Sequence, residues 1–154
     1  MRLMHANSTS LQAPLPRILI VDDCEPLRLA LRALISSAIV PCTCVEASTG
    51  EHAVALAEAT HPTVVLMDLM LPGMNGIEAT RTIKAMLPQT KIVIVSLHEA
   101  PEFQTEAARA GATVYLPKRV LQRELVPLLR SLLAVPGDAC PPATDPQPSA
   151  RDIV

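Results

Sequence analysis

RILIVDD at residues 17–23 and VVLMDLMLPGMNG at residues 64–76 decide the fold. Each opens with a short, apolar, mostly β-branched run that stops on aspartate, and such runs read as strands covered on both faces. Three further runs share the form: 42–47, KIVIVS at 91–96, and 113–116 just ahead of Lys118. Between the five strands lie five helical stretches. The first opens at Pro26, suited to a helix's first position, and sets Leu27, Leu31 and Leu34 on one face with Arg28 and Arg32 on another. The next three span about 51–59, 77–86 and 101–110, and the fifth, about 121–133, carries Leu121, Leu125, Leu128 and Leu132 on one stripe. Strands alternating with helices at this spacing predict an α/β fold: a doubly wound five-stranded parallel sheet with five helices.

In such a sheet the carboxyl ends of the strands share one edge, and ligands bind where the strand order reverses. Asp22, Asp23, Asp68, Ser96 and Lys118 all sit at strand ends and are expected to converge there. Crowded carboxylates repel one another unless a cation joins them, and hard oxygen ligands with open water positions suit Mg²⁺. Taken singly, each residue has a plainer role. Asp68 could end a strand, Asp22 could cap the next helix, Ser96 could be an idle hydroxyl and Lys118 a surface charge. Yet an aspartate set between VVLM and LMLPG is costly in an apolar segment unless it is used. Together the five residues point to phosphate carried on a carboxylate.

Composition removes other classes. The 154 residues fit one domain with a small remainder, and Tyr115 and Phe103 are its aromatic residues besides histidine, too few for a base-stacking platform. A net charge of −2 without a run of Lys or Arg argues against direct nucleic-acid or anionic-membrane binding. The cysteines Cys24, Cys42, Cys44 and Cys140 lack zinc or disulfide spacing, and Cys42 and Cys44 are read as pointing to opposite faces of their strand. His52 and His61 read as surface or capping residues. With no signal-peptide pattern and no apolar run near the ~20 residues of a membrane span, a cytoplasmic location is expected. Residues 1–16 read as a flexible leader, and the proline-rich stretch 136–154 as a disordered tail.

Taken in order and at their spacing, VDD, MDLMLPGMNGIEA, IVSLH and YLPK resemble the receiver domain of bacterial response regulators, a flavodoxin-like fold, over residues 17–135. The wording of MDLMLPGMNGIEA and SLHEAPEF is most similar to the subgroup usually fused to a helix-turn-helix DNA-binding domain, which does not follow in these residues. The resemblance implies that Asp68 is the phospho-acceptor. It implies that Asp22, Asp23 and Asp68, with the backbone carbonyl of Met70, hold Mg²⁺. Lys118 would pair with a phosphate oxygen, Ser96 would hydrogen-bond another, and Ser96 with Tyr115 would form the switch. Gly73 and Gly76 would let the loop after Asp68 turn tightly. Met70, Leu97 and His98 occupy the positions that tune phosphoryl access and lifetime.

Two departures stand out. Arg119 replaces the proline that commonly follows the lysine, which argues against a cis Lys118–Arg119 peptide. Leu97 replaces a common small residue and is expected to narrow the approach. The implied partners are a sensor histidine kinase and an output protein, or a second copy, on the face formed by residues 100–134. No catalysis beyond reactions of its own Asp68 is expected. One rival is the receiver part of a DNA-binding transcription regulator whose output domain is missing. Another is a small phosphatase or flavin-binding protein, opposed by Met70 standing where a second acid would be and by the scarcity of aromatics.

Overall fold

A computed structural model describes residues 14–134; most of the leader and the proline-rich tail lie outside the described residues. The five strands are β1 (Arg17–Val21), β2 (Thr43–Ala47), β3 (Val64–Asp68), β4 (Lys91–Ser96) and β5 (Val114–Pro117). The helices are α1 (Glu25–Ala38), α2 (Gly50–Thr60), α3 (Gly76–Met86), α4 (Pro101–Ala110) and α5 (Leu121–Leu133). All strands are parallel in the order β2-β1-β3-β4-β5, so the order reverses between β1 and β3.

Alternation along the strands divides the core in two. Leu19, Val21, Val65, Met67, Ile92 and Ile94 pack against α2, α3 and α4, whereas Ile18, Ile20, Val64, Leu66, Val93 and Val95 pack against α1 and α5. Strands buried on both sides have no polar face, which is why their sequences run apolar without interruption.

The predicted elements are present, with local differences. Helix α1 begins at Glu25, making Pro26 its second residue, and its N-cap is Cys24 rather than Asp22. The buried stripe of α5 is Leu121, Leu125 and Leu129, with Leu128 and Leu132 half-buried along its flank. Successive steps of four keep that stripe on the sheet, and a single 3₁₀ turn at Lys118–Val120 leads into the helix. Cys42 and Cys44 do not face opposite ways. Residues two apart on an extended chain share a face, and both thiols pack on the α1/α5 side, with Cys44 Sγ 3.9 Å from Ser36 Oγ. Burial, followed by the neighbouring Cys44, pushes the Cys42 thiol up. His61 caps α2 in the left-handed region at φ 48°, and Gly111 closes α4 at φ 102°.

Candidate functional site

Strand ends gather the charged residues. Asp22 and Asp23 follow β1, Asp68 ends β3, Ser96 ends β4, and Lys118 follows β5, all on the carboxyl edge beside the reversal of strand order. One carboxylate oxygen from each of Asp22, Asp23 and Asp68 lies within 4.8 Å of the others. Among the described residues this is the one such acidic, histidine or cysteine group of three able to hold a metal ion. Lys118 Nζ donates to Asp22 Oδ2 at 2.7 Å and lies 3.4 Å from Asp68 Oδ1. Asp22 and Asp68 are buried, whereas Asp23 is exposed. The group opens into a cleft of about 510 Å³ whose walls include Leu27, Met70, Leu97 and His98.

Burial pushes the Asp68 carboxyl above its ordinary range, and the adjacent Asp22 charge pushes further. Lys118 and the Met70 backbone amide pull the other way without cancelling that rise. The buried Asp22 is thus the neighbouring charge that raises Asp68. For Lys118, burial favours the neutral amine, yet its hydrogen bond to Asp22 and the Asp68 charge outweigh this and leave the ammonium stabilised. A divalent cation would relieve the excess of negative charge, and three carboxylates around a cleft with room for water match what Mg²⁺ requires.

Asp22 is held in more ways than its type reveals. Its Oδ1 accepts the Cys24 N–H at 2.9 Å, its own N–H donates to the Ala47 carbonyl, and its carbonyl accepts from Arg28 at 2.7 Å. Arg28 gave no signal in sequence, because an arginine on a helix's polar face looks like any solvated charge.

The loop after Asp68 is shaped by glycine. Gly73 has φ 74°, and a Cβ at Gly76 would lie 2.0 Å from the Asp68 carbonyl oxygen. Asn75 then caps α3, accepting from Glu78 N–H while the Glu78 carboxylate accepts the Asn75 N–H. That capping box was legible as Asn75-x-x-Glu78 and was missed.

Ser96 is fully buried, and its Oγ accepts the His98 N–H at 3.0 Å. Tyr115, half-buried on the α2/α3/α4 side, donates its hydroxyl to the His98 carbonyl. Arg119 reaches Glu99 across the same loop. Met70 is 57 % exposed and Leu97 76 % exposed, so both stand at the mouth of the cleft, Leu97 rising from it rather than filling it. The His98 ring rests on Phe103 at 5.3 Å between centroids. The cis peptide among the described residues is Val40–Pro41, so Lys118–Arg119 is trans.

Fold and site together define an acidic receiver, and the chain belongs to the family described as the response regulator receiver domain, whose model matches residues 18–130. It is 38% identical over 123 residues to the transcriptional regulatory protein YxjL of Bacillus subtilis, covering 80% of this chain and 56% of that protein. The response regulator UvrY of Escherichia coli is 35% identical over 115 residues, 75% of this chain and 53% of its own length. The chain thus spans about half the length of these curated relatives. Among solved structures, a LuxR-family two-component response regulator from Aurantimonas is similar at 36% identity and a TM-score of 0.70, covering 77% of this chain and 85% of that one. Family membership sets the phosphatase and flavin readings aside, since receiver domains are signalling modules rather than classical enzymes. No helix among the described residues is long and apolar enough to cross a membrane.

Proposed function

We propose that this chain accepts a phosphoryl group from a sensor histidine kinase on Asp68 and signals through the resulting change of surface. The observation that carries the reading is the three-carboxylate cluster within 4.8 Å, paired with Lys118 at the point of strand-order reversal. Asp22, Asp23, Asp68 and the Met70 backbone carbonyl would hold Mg²⁺, which supplies charge neutralisation for the transferring group. An Asp68 oxygen attacks phosphorus, the O–P bond forms as the donor's N–P bond breaks, and the electron pair returns to the imidazole. Lys118 follows the charge onto the phosphoryl oxygens, and Ser96 donates its hydroxyl to another of them.

That reorientation has a structural consequence. Ser96 Oγ now accepts the His98 N–H, and the His98 carbonyl is held by Tyr115. Drawing Ser96 toward phosphate releases one end of a residue whose other end is tied to β5, so the loop, Tyr115 and the outer face over residues 100–134 change together. That face is the docking surface for an output protein or a second copy. A cytoplasmic protein is the natural setting for such a relay.

The test is incubation with acetyl phosphate, followed by intact-mass measurement, with Mg²⁺ and with chelator. One phosphoryl group should appear only when Mg²⁺ is present, and Asp23→Ala should weaken both metal uptake and labelling. Labelling that ignores Mg²⁺ would contradict the proposed metal role.

A further inference from the structure

The loop of residues 69–75 is gripped by a helix that supplies none of the charged site residues. Glu51, in the first turn of α2, accepts the Met74 backbone N–H on Oε1 at 2.9 Å. The same carboxylate lies against Gly73, where an added Cβ would stand 2.7 Å from Oε1. Gly50 completes the approach, since a Cβ there would meet the Met74 carbonyl oxygen at 2.4 Å. The base of the loop is closed separately, by the Gly76 N–H donating to the Leu69 carbonyl at 2.9 Å. Between that closure and Met74 lies Met70, which lines the cleft beside Asp22, Asp23 and Asp68.

We infer that Glu51 is a positioning residue for the metal site: by holding the Met74 amide it fixes the loop that presents the Met70 carbonyl. The inference rests on the Mg²⁺ site proposed above. Mg²⁺ demands near-ideal octahedral geometry, so a carbonyl ligand on a wandering loop loses affinity for small displacements. The fold itself depends little on Glu51, because the residue is exposed and the cores lie beneath other side chains. A merely structural role would lower the melting temperature and leave metal binding alone. A purely electrostatic role would depend on charge and not on the ability to accept a hydrogen bond.

Glutamine separates these readings, since it keeps the acceptor and removes the charge. Mg²⁺ is titrated calorimetrically into the wild type, Glu51→Ala and Glu51→Gln, with thermal melting of each in the absence of metal. Glu51→Ala should weaken Mg²⁺ binding about tenfold, the low end of what outer-shell partners of metal ligands contribute. Glu51→Gln should stay within about twofold of wild type. Wild-type binding with unchanged affinity in Glu51→Ala, or equal losses in the two variants, would overturn the positioning role. A wild-type protein that takes up no Mg²⁺ would instead refute the metal site itself.

Discussion

Two loops border the acidic cluster and are built on opposite plans. The β3–α3 loop is fixed by close backbone packing that side-chain acceptors reinforce: Gly76 packed on the Asp68 carbonyl, Gly73 at positive φ, a capping box at Asn75, and the Glu51 anchor at Met74. The β4–α4 loop is held by side-chain contacts that can exchange: Ser96 Oγ and the Tyr115 hydroxyl on His98, and Arg119 on Glu99. On the function proposed above, the first loop keeps Asp68 and the carboxylates that would hold Mg²⁺ in register. On the same proposal, the second takes up a new arrangement when Ser96 turns its hydroxyl toward phosphate and away from His98. A switch needs both, because charge must arrive at a fixed point and be read by something that moves.

The contrast breaks most severely at Gly76. Its substitution by alanine sets a Cβ against backbone atoms of Asp68 and Leu69, which cannot swing aside as a side chain would. Gly76→Ala should lower stability by about 3 kcal/mol, measured by denaturant unfolding, and disturb the Asp68 carboxylate as well.

Next in size is phosphoryl lifetime. Met70 stands at the cleft mouth, and a thioether is a poor acceptor for a water aligned on phosphorus. Met70→Asn should shorten the half-life of phosphorylated Asp68 by about threefold to thirtyfold, or roughly 1 to 2 kcal/mol of barrier, in Mg²⁺ buffer.

Stability of the metal-free protein sharpens the comparison at Asp68. The folded state holds the Asp68 proton more tightly than the unfolded chain does, because burial and Asp22 raise its pKa. Ionised Asp68 therefore opposes folding fully above its raised folded value, and that penalty fades as pH falls through this value toward the ordinary carboxylate range. Asp68→Asn should melt higher than wild type near neutral pH without Mg²⁺, and the gap should shrink on acidification through that window. An equal or lower melting point near pH 7 would show that Lys118 already compensates Asp68.

The smallest effect belongs to the second loop. Arg119 and Glu99 are largely exposed, at 68% and 44% of their side-chain surface, so breaking the pair should change stability by about 0.5 kcal/mol or less. Arg119→Ala should therefore unfold at nearly the same denaturant concentration as wild type, in contrast with Gly76→Ala.

How far the sequence could be read follows the same division. Strand runs ending on Asp22, Asp68 and Ser96 announced the sheet and the meeting point, because a doubly wound topology leaves one edge for all of them. Membership of the α5 stripe was harder, since Leu128 and Leu129 are adjacent and both apolar, so the pattern alone does not say which of them faces the sheet. The facing of Cys42 and Cys44 was misread although a two-residue period decides it. Contacts from Arg28 to the Asp22 carbonyl and from Glu51 to Met74 were out of reach, because each ends on a backbone group that every residue possesses.

The central claim is that Asp68 takes the phosphoryl group, and locating that group after treatment with acetyl phosphate and Mg²⁺ tests it most directly. Intact mass and peptide mapping should find one phosphoryl group, on Asp68, in the wild type and none in Asp68→Asn. Equal labelling of the asparagine variant, or a phosphoryl group mapped to another residue, would contradict the account.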